Sequence, residues 1–217
     1  MTLTIAIILS YSIAIAGIFA VIRFKHTTRF YHPFLFFIWT ALASEIINDI
    51  CIRFFHSTEV NSNIYTLIEF LLIVWLFAQW NSIYTDKKFY YTILVIGFAV
   101  WVLDNLLLYS LQHQNSIFRI FYAILFVYLS IMQINKLIFS SEKNIVYNSQ
   151  FIICIAFLIY FSYKATFEIF FLVQVGWSNN FYVQLFTIFV FVNLFSNILY
   201  AFAVLCIPKK QKFILPY

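Results

Sequence analysis

Seven runs of roughly twenty predominantly apolar residues follow one another along this chain, with short polar connectors between them. A bilayer's hydrocarbon core is about 30 Å thick, and a helix rising about 1.5 Å per residue crosses it in about 20 residues. The runs occupy approximately residues 2–22, 33–53, 63–84, 89–111, 116–138, 151–173 and 181–207. Closed β-barrels also satisfy every backbone polar group inside lipid, but their strands alternate apolar and polar side chains over about 10 residues. Residues 70–78 read FLLIVWLFA, apolar on every face. The expected fold is an all-α integral membrane protein: one domain over residues 1–217, built as a bundle of seven transmembrane helices. With 64% hydrophobic and 10% charged residues, neither a soluble domain nor a disordered chain fits.

Basic residues give the direction of threading. Arg23, Lys25 and Arg29 follow the first span, Lys87 and Lys88 the third, Lys136 and Lys143 the fifth, and Lys209, Lys210 and Lys212 the seventh. The opposite connectors hold only Arg53. Cytoplasmic loops carry the excess of Lys and Arg, so the N-terminus is expected outside and the C-terminus in the cytoplasm. The expected location is the cell membrane, multi-pass, which is the inner membrane if the cell is bacterial. The net charge of +5 is then a topology signal, and no nucleic-acid partner is expected. Residues 1 and 2 lack a basic stretch, so no cleaved signal is expected and the first run stays as a span. Cys51, Cys154 and Cys206 are far apart and read as small apolar fillers, and neither a metal site nor a cofactor is expected.

Ionisable residues inside the spans are the informative exceptions. At about 1.5 Å per residue, Glu45 and Asp49 of the second span, Glu69 of the third, Asp104 of the fourth, Arg119 of the fifth, and Lys164 and Glu168 of the sixth fall in the outer half. Each would cost roughly 2.5–3.5 kcal/mol facing lipid at a helix centre, so they are expected to face one another. Spacing supports shared faces: Glu45, Asn48 and Asp49 lie at i, i+3, i+4, and Tyr65–Glu69 and Tyr160–Lys164–Glu168 lie four apart. The expectation is an outward-opening polar pocket for a small ligand or cation, with Glu45, Asn48, Asp49, Tyr65, Glu69, Asp104, Arg119, Lys164 and Glu168 as candidate lining. Glu45, Glu69, Asp104 and Glu168 are expected to converge between the second, third, fourth and sixth spans. The alternative is structural, with buried pairs that fix helix register. In the seventh span, Asn193, Ser196, Asn197 and Tyr200 form a polar stripe read as interhelical hydrogen bonding.

Several activities lose their chemical requirement. A retinal protein needs a lysine on the last span, and there is none before Lys209. A ceramidase-like hydrolase needs intramembrane histidines, but His26, His32, His56 and His113 all lie in connectors. A membrane lipid hydrolase using carboxylates alone remains an alternative, with no nucleophile motif to support it. In span number, expected N-terminal direction, and the paired openings Asn63-Ile64-Tyr65 and Asn180-Phe181-Tyr182, the chain resembles SWEET-type sugar carriers. That resemblance implies small-solute or cation-coupled transport; the prolines such carriers use as helix hinges are missing within these spans. An outward polar layer in unbroken helices, with short basic connectors, leads to the main expectation. It is a sensory or signal-relay membrane module acting with a separate cytoplasmic signalling protein.

Overall fold

The computed structural model describes residues 3–81, 87–139, 145–173 and 178–208, and the extended elements among them are all helical. Among the described residues, seven helices are long and apolar enough to cross a membrane: Ile7–His26, Arg29–Phe55, Glu59–Trp80, Lys88–Leu108, Ile117–Phe139, Ser149–Val173 and Asn180–Cys206. By the length and apolarity of these helices the chain is a multi-pass membrane protein. The first span consists of α1 (Leu3–Ser10) and α2 (Ile13–Arg23), followed by α3 (His32–Phe55) and α4 (Glu59–Asn81). Then come α5 (Lys87–Val102), continued by a π-helical turn over Leu103–Leu108, and α6 (Ile117–Phe139), α7 (Ser149–Val173) and α8 (Asn179–Cys206). Of the basic residues used for threading, Lys143, Lys209, Lys210 and Lys212 lie outside the described residues.

Local chemistry sets several ends. Pro33 sits in the first turn of α3, where its missing N–H forfeits no intrahelical bond. His56 closes that helix in the left-handed region, at φ 55°, and the chain reverses into α4. Ile207 is extended, as a residue before proline must be, and Pro208 prevents α8 from continuing. The last carbonyls of α8 are taken by Arg23, whose guanidinium donates to Val204 O (3.1 Å), Leu205 O and Ile207 O (3.2 Å). A cation at a helix C-terminus satisfies orphan acceptors and complements the dipole. Arg23 thus has a capping role in addition to its place in the charge bias.

The helices close into a ring, with α2 against α3, α3 against α4, α6 against α7, α7 against α8, and α8 back against α2. The α5 helix packs on α4 and α6. Inside the ring the core is aromatic. Phe157 meets Phe34, Phe37, Phe77, Phe161 and Tyr200 at centroid distances of 5.6–6.4 Å, mostly edge to face. Outward positions are apolar too, such as Val95, Leu107 and Ile124, which suits contact with acyl chains.

Two spans depart from the unbroken helices expected of them. Across Tyr11 and Ser12 the ladder tightens to i→i+3 bonds, Ser12 N to Leu9 O and Ala14 N to Tyr11 O, dividing α1 from α2. Ser12 Oγ there accepts from Asn197 Nδ2 of α8 at 2.9 Å. The second departure is the π-helical Leu103–Leu108, which carries Asp104 and Asn105, both buried. A π-turn re-aims the side chains it contains.

Candidate functional site

The intramembrane charges form two buried junctions, of which the first borders a cavity lined by Glu45 and Glu69, and Arg119 of the second lines a separate void with Glu59 and Ser62. At the first junction, Glu69 of α4 pairs with Lys164 of α7, Nζ to Oε2 at 2.9 Å, with side chains 1% and 9% exposed. The same Oε2 accepts from the Tyr122 hydroxyl of α6 at 2.7 Å, while Tyr65 donates to Oε1 at 3.3 Å. The Lys164 ammonium also lies 5.0 Å from the ring centre of Tyr122 and 5.3 Å from that of Tyr160. A buried pair is tolerable only when its remaining hydrogen-bonding capacity is used, and these phenols and ring faces supply that. Glu69 therefore ties α4, α6 and α7 together through one carboxylate.

At the second junction, Arg119 of α6 reaches Glu168 of α7 at 3.2 Å. Glu168 also accepts from Ser116 Oγ at 2.6 Å. The second terminal nitrogen of Arg119, Nη2, donates to Asn63 Oδ1 (2.8 Å) and Ser62 Oγ (3.0 Å) on α4. Asn63 in turn donates to Leu111 O and His113 O and accepts from Trp101 Nε1 at its carbonyl, which fixes the connector leading into α6. Asp104 belongs to this end of the bundle. Its Oδ2 accepts from the Phe118 N–H at 2.8 Å, capping the first turn of α6 with a negative charge where the helix dipole favours one.

The cavity lies on the other side of Glu69. It measures about 100 Å³ and is lined by α1 (Ser10), α2 (Ile13), α3 (Phe37, Ala41, Glu45), α4 (Tyr65, Glu69), α7 (Tyr160) and α8 (Phe189, Asn193, Asn197, Tyr200). Since about 10–15 Å³ admits a water, there is room for several waters or a small ligand head. Glu45 has no basic partner among the described residues; Asp49, one turn on, pairs with Arg53 at 2.9 Å instead. The Tyr200 and Ser196 hydroxyls are buried without a hydrogen-bond partner among the described residues. The division of the first span at Tyr11 and Ser12 falls beside this lining.

The expected convergence of four acids therefore divides. Glu45, Tyr65 and Glu69 share a cavity, but the spans around it are the first, second, third, sixth and seventh. Asp104 and Glu168 sit with Arg119 at the second junction, facing neither Glu45 nor the void. Asn48 accepts from Asn61 Nδ2 at 2.8 Å and Asp49 turns to Arg53, so the α3 trio does not act as one face. Fourth-span residues were expected in the cavity wall, yet the π-turn carries Asp104 to the start of α6. Sequence reasoning missed Tyr122, Ser116, Asn63 and Ser62, the groups that complete the pairs. Ser116 and Tyr122 lie three residues either side of Arg119, a spacing that would have identified them. It placed Tyr200 and Asn197 on a hydrogen-bonding stripe; Asn197 makes such a bond, while Tyr200 faces the cavity unpartnered.

Fold and site together define a polytopic helical membrane protein with two buried charge junctions beside a polar cavity. No protein-family model, curated protein or solved structure matches the chain.

Proposed function

We propose that this protein is a sensory or signal-relay membrane module whose cavity receives a small polar or cationic ligand. One observation carries this reading: Glu69 has one oxygen toward the cavity's tyrosine and the other on Lys164 and Tyr122. A ligand that draws charge at the cavity side changes the hold on α6 and α7 through the same carboxylate. A ligand shifts a protein only through such differential contacts between two states. The N-terminus lies outside and the basic connectors lie in the cytoplasm of the cell membrane, available to a separate signalling protein. Solute transport is the second reading, favoured by the broken first span beside the cavity, since interrupted helices mark transport sites.

Reporter fusions after Thr85 and Tyr217 should report cytoplasm, and fusions after Thr58 and Gln114 the exterior. An external Tyr217 reporter would overturn the orientation. In sealed, right-side-out vesicles, a water-soluble carbodiimide with an impermeant amine should modify Glu45 from outside. Labelling of Glu45 only after the vesicles are opened removes the outward-facing site. Cation-dependent uptake in liposomes, lost in Glu45→Gln, would select transport over relay.

A further inference from the structure

Besides its two carboxylates, the cavity is walled by the rings of Phe37, Tyr65, Tyr160, Phe189 and Tyr200. That combination discriminates among ligands. An anion is repelled by Glu45, whose charge, unlike that of Glu69, has no basic partner among the described residues, and a neutral ligand leaves that charge without a counter-ion in a low-dielectric setting. A small metal cation would use the oxygens of the lining, those of Ser10, Asn193 and Asn197 among them, but leaves the aromatic rings without a role. An alkylammonium suits both parts of the lining. Its N–H groups make charge-assisted bonds to carboxylates, and its polarised carbons lie against ring faces.

The protein already uses this recognition internally. Lys164 is itself a primary alkylammonium, held by Glu69 at 2.9 Å with Tyr122 and Tyr160 rings 5.0 and 5.3 Å from its nitrogen. Tyr160 is common to both places, backing Lys164 and lining the cavity. An observation independent of the acids points the same way. Tyr200 is 2% exposed and lines the cavity, yet its hydroxyl has no hydrogen-bond partner among the described residues. A buried hydroxyl without a partner is costly, and a ligand N–H would satisfy it.

We propose that the cavity binds the primary ammonium group of a small alkylamine, free or carried on a lipid headgroup. Glu45 is its counter-ion and the Tyr200 hydroxyl a further acceptor. This rests on the cavity being a ligand site, as argued above, and it adds the chemical class.

The test is thermal unfolding of the purified full chain in detergent micelles, titrated with methylammonium chloride. Potassium chloride and tetramethylammonium chloride at equal ionic strength are the controls. Methylammonium should raise the midpoint saturably and above both controls. Glu45→Gln should weaken the response about tenfold or more, and Tyr200→Phe about three- to tenfold. Neither variant should lower the ligand-free midpoint, because neither residue belongs to an ion pair among the described residues and each substitution removes a charge or hydroxyl left without a partner. The source is separated in nanodiscs: a headgroup ligand gives stabilisation in phosphatidylethanolamine discs that is absent in phosphatidylglycerol discs and lost in Glu45→Gln. A free amine acts equally in both. An equal response to potassium, or a stronger one to tetramethylammonium, overturns the primary-ammonium class. No response to any salt or lipid, with Glu45 still labelled from outside, overturns the class and leaves the cavity reading standing. No response with Glu45 unlabelled overturns both.

Discussion

Replacing Lys164 with methionine tests whether the Glu69 junction holds the bundle together. The pair is 2.9 Å apart and nearly excluded from solvent. At an effective dielectric of about 20 its gross attraction is about 6 kcal/mol, most of it offset by the cost of taking both charges out of water. Lys164→Met removes the attraction but leaves the Glu69 carboxylate buried. Breaking a buried pair on one side costs about 3–5 kcal/mol. The lower end applies here, because Tyr122 at 2.7 Å and Tyr65 at 3.3 Å still donate to the stranded carboxylate. Adding Glu69→Gln removes the uncompensated charge, so the double variant should fall within about 2 kcal/mol of wild type. Equilibrium unfolding in mixed micelles of increasing denaturing detergent reads all four corners of this cycle. A single variant costing under about 1 kcal/mol, the range of an exposed pair, would mean that Lys164 reaches the interface by snorkelling. A double variant as damaged as the single would show that packing around Lys164, rather than charge, explains the loss.

Two further substitutions probe positions that set the helix arrangement. A Cβ on Gly97 of α5 would run into the ring of Phe70, itself packed against Phe118 and Phe126, so Gly97→Ala should destabilise by about 1–3 kcal/mol. Gly17→Ala meets only Leu42 at 3.4 Å and should be neutral or gain up to about 1 kcal/mol from helix propensity; the two midpoints in one thermal-shift experiment check the contrast. Asp104→Ala should cost about 1–3 kcal/mol by uncapping α6, whereas Asp104→Asn, which keeps an acceptor for the Phe118 N–H, should cost less than half as much in the same assay.

The spans were legible because lipid imposes a length, and each run meets it. The buried charges were legible as a depth band, because rise per residue converts sequence position into height. Azimuth was not legible. A soluble helix marks its inward face with an apolar stripe, but a span such as residues 70–78 is apolar all round, so its rotation is set by packing alone. Glu69 and Glu168 therefore looked like neighbours in one pocket, while the helices direct them to different cations. Both departures from regular α-helix were hidden for a related reason. Neither Tyr11–Ser12 nor Leu103–Leu108 contains Gly or Pro, the residues that usually mark a break. At Tyr11–Ser12 the conformation is accompanied by a tertiary bond, Asn197 to Ser12, between residues far apart in sequence.

The order of charges on α7 explains why two junctions serve better than one. Lys164 and Glu168 stand one turn apart with opposite sign, facing Glu69 of α4 and Arg119 of α6. Sliding α7 by one turn, about 5.4 Å, would bring a carboxylate toward Glu69 or an ammonium toward Arg119. Either outcome places like charges together in a low-dielectric interior, so register is fixed by repulsion in the wrong alignments as well as attraction in the right one. With α4, α6 and α7 tied in this way, the proposed relay assigns the response to the side formed by the divided first span, α3 and α8. The cavity lies at the seam between these two groups, and Glu69 is the residue with an oxygen on each side. In the proposed relay, charge arriving at Glu45 acts on the α4, α6 and α7 group through a change in the electrostatic hold on Lys164, with no need for the helices to exchange partners.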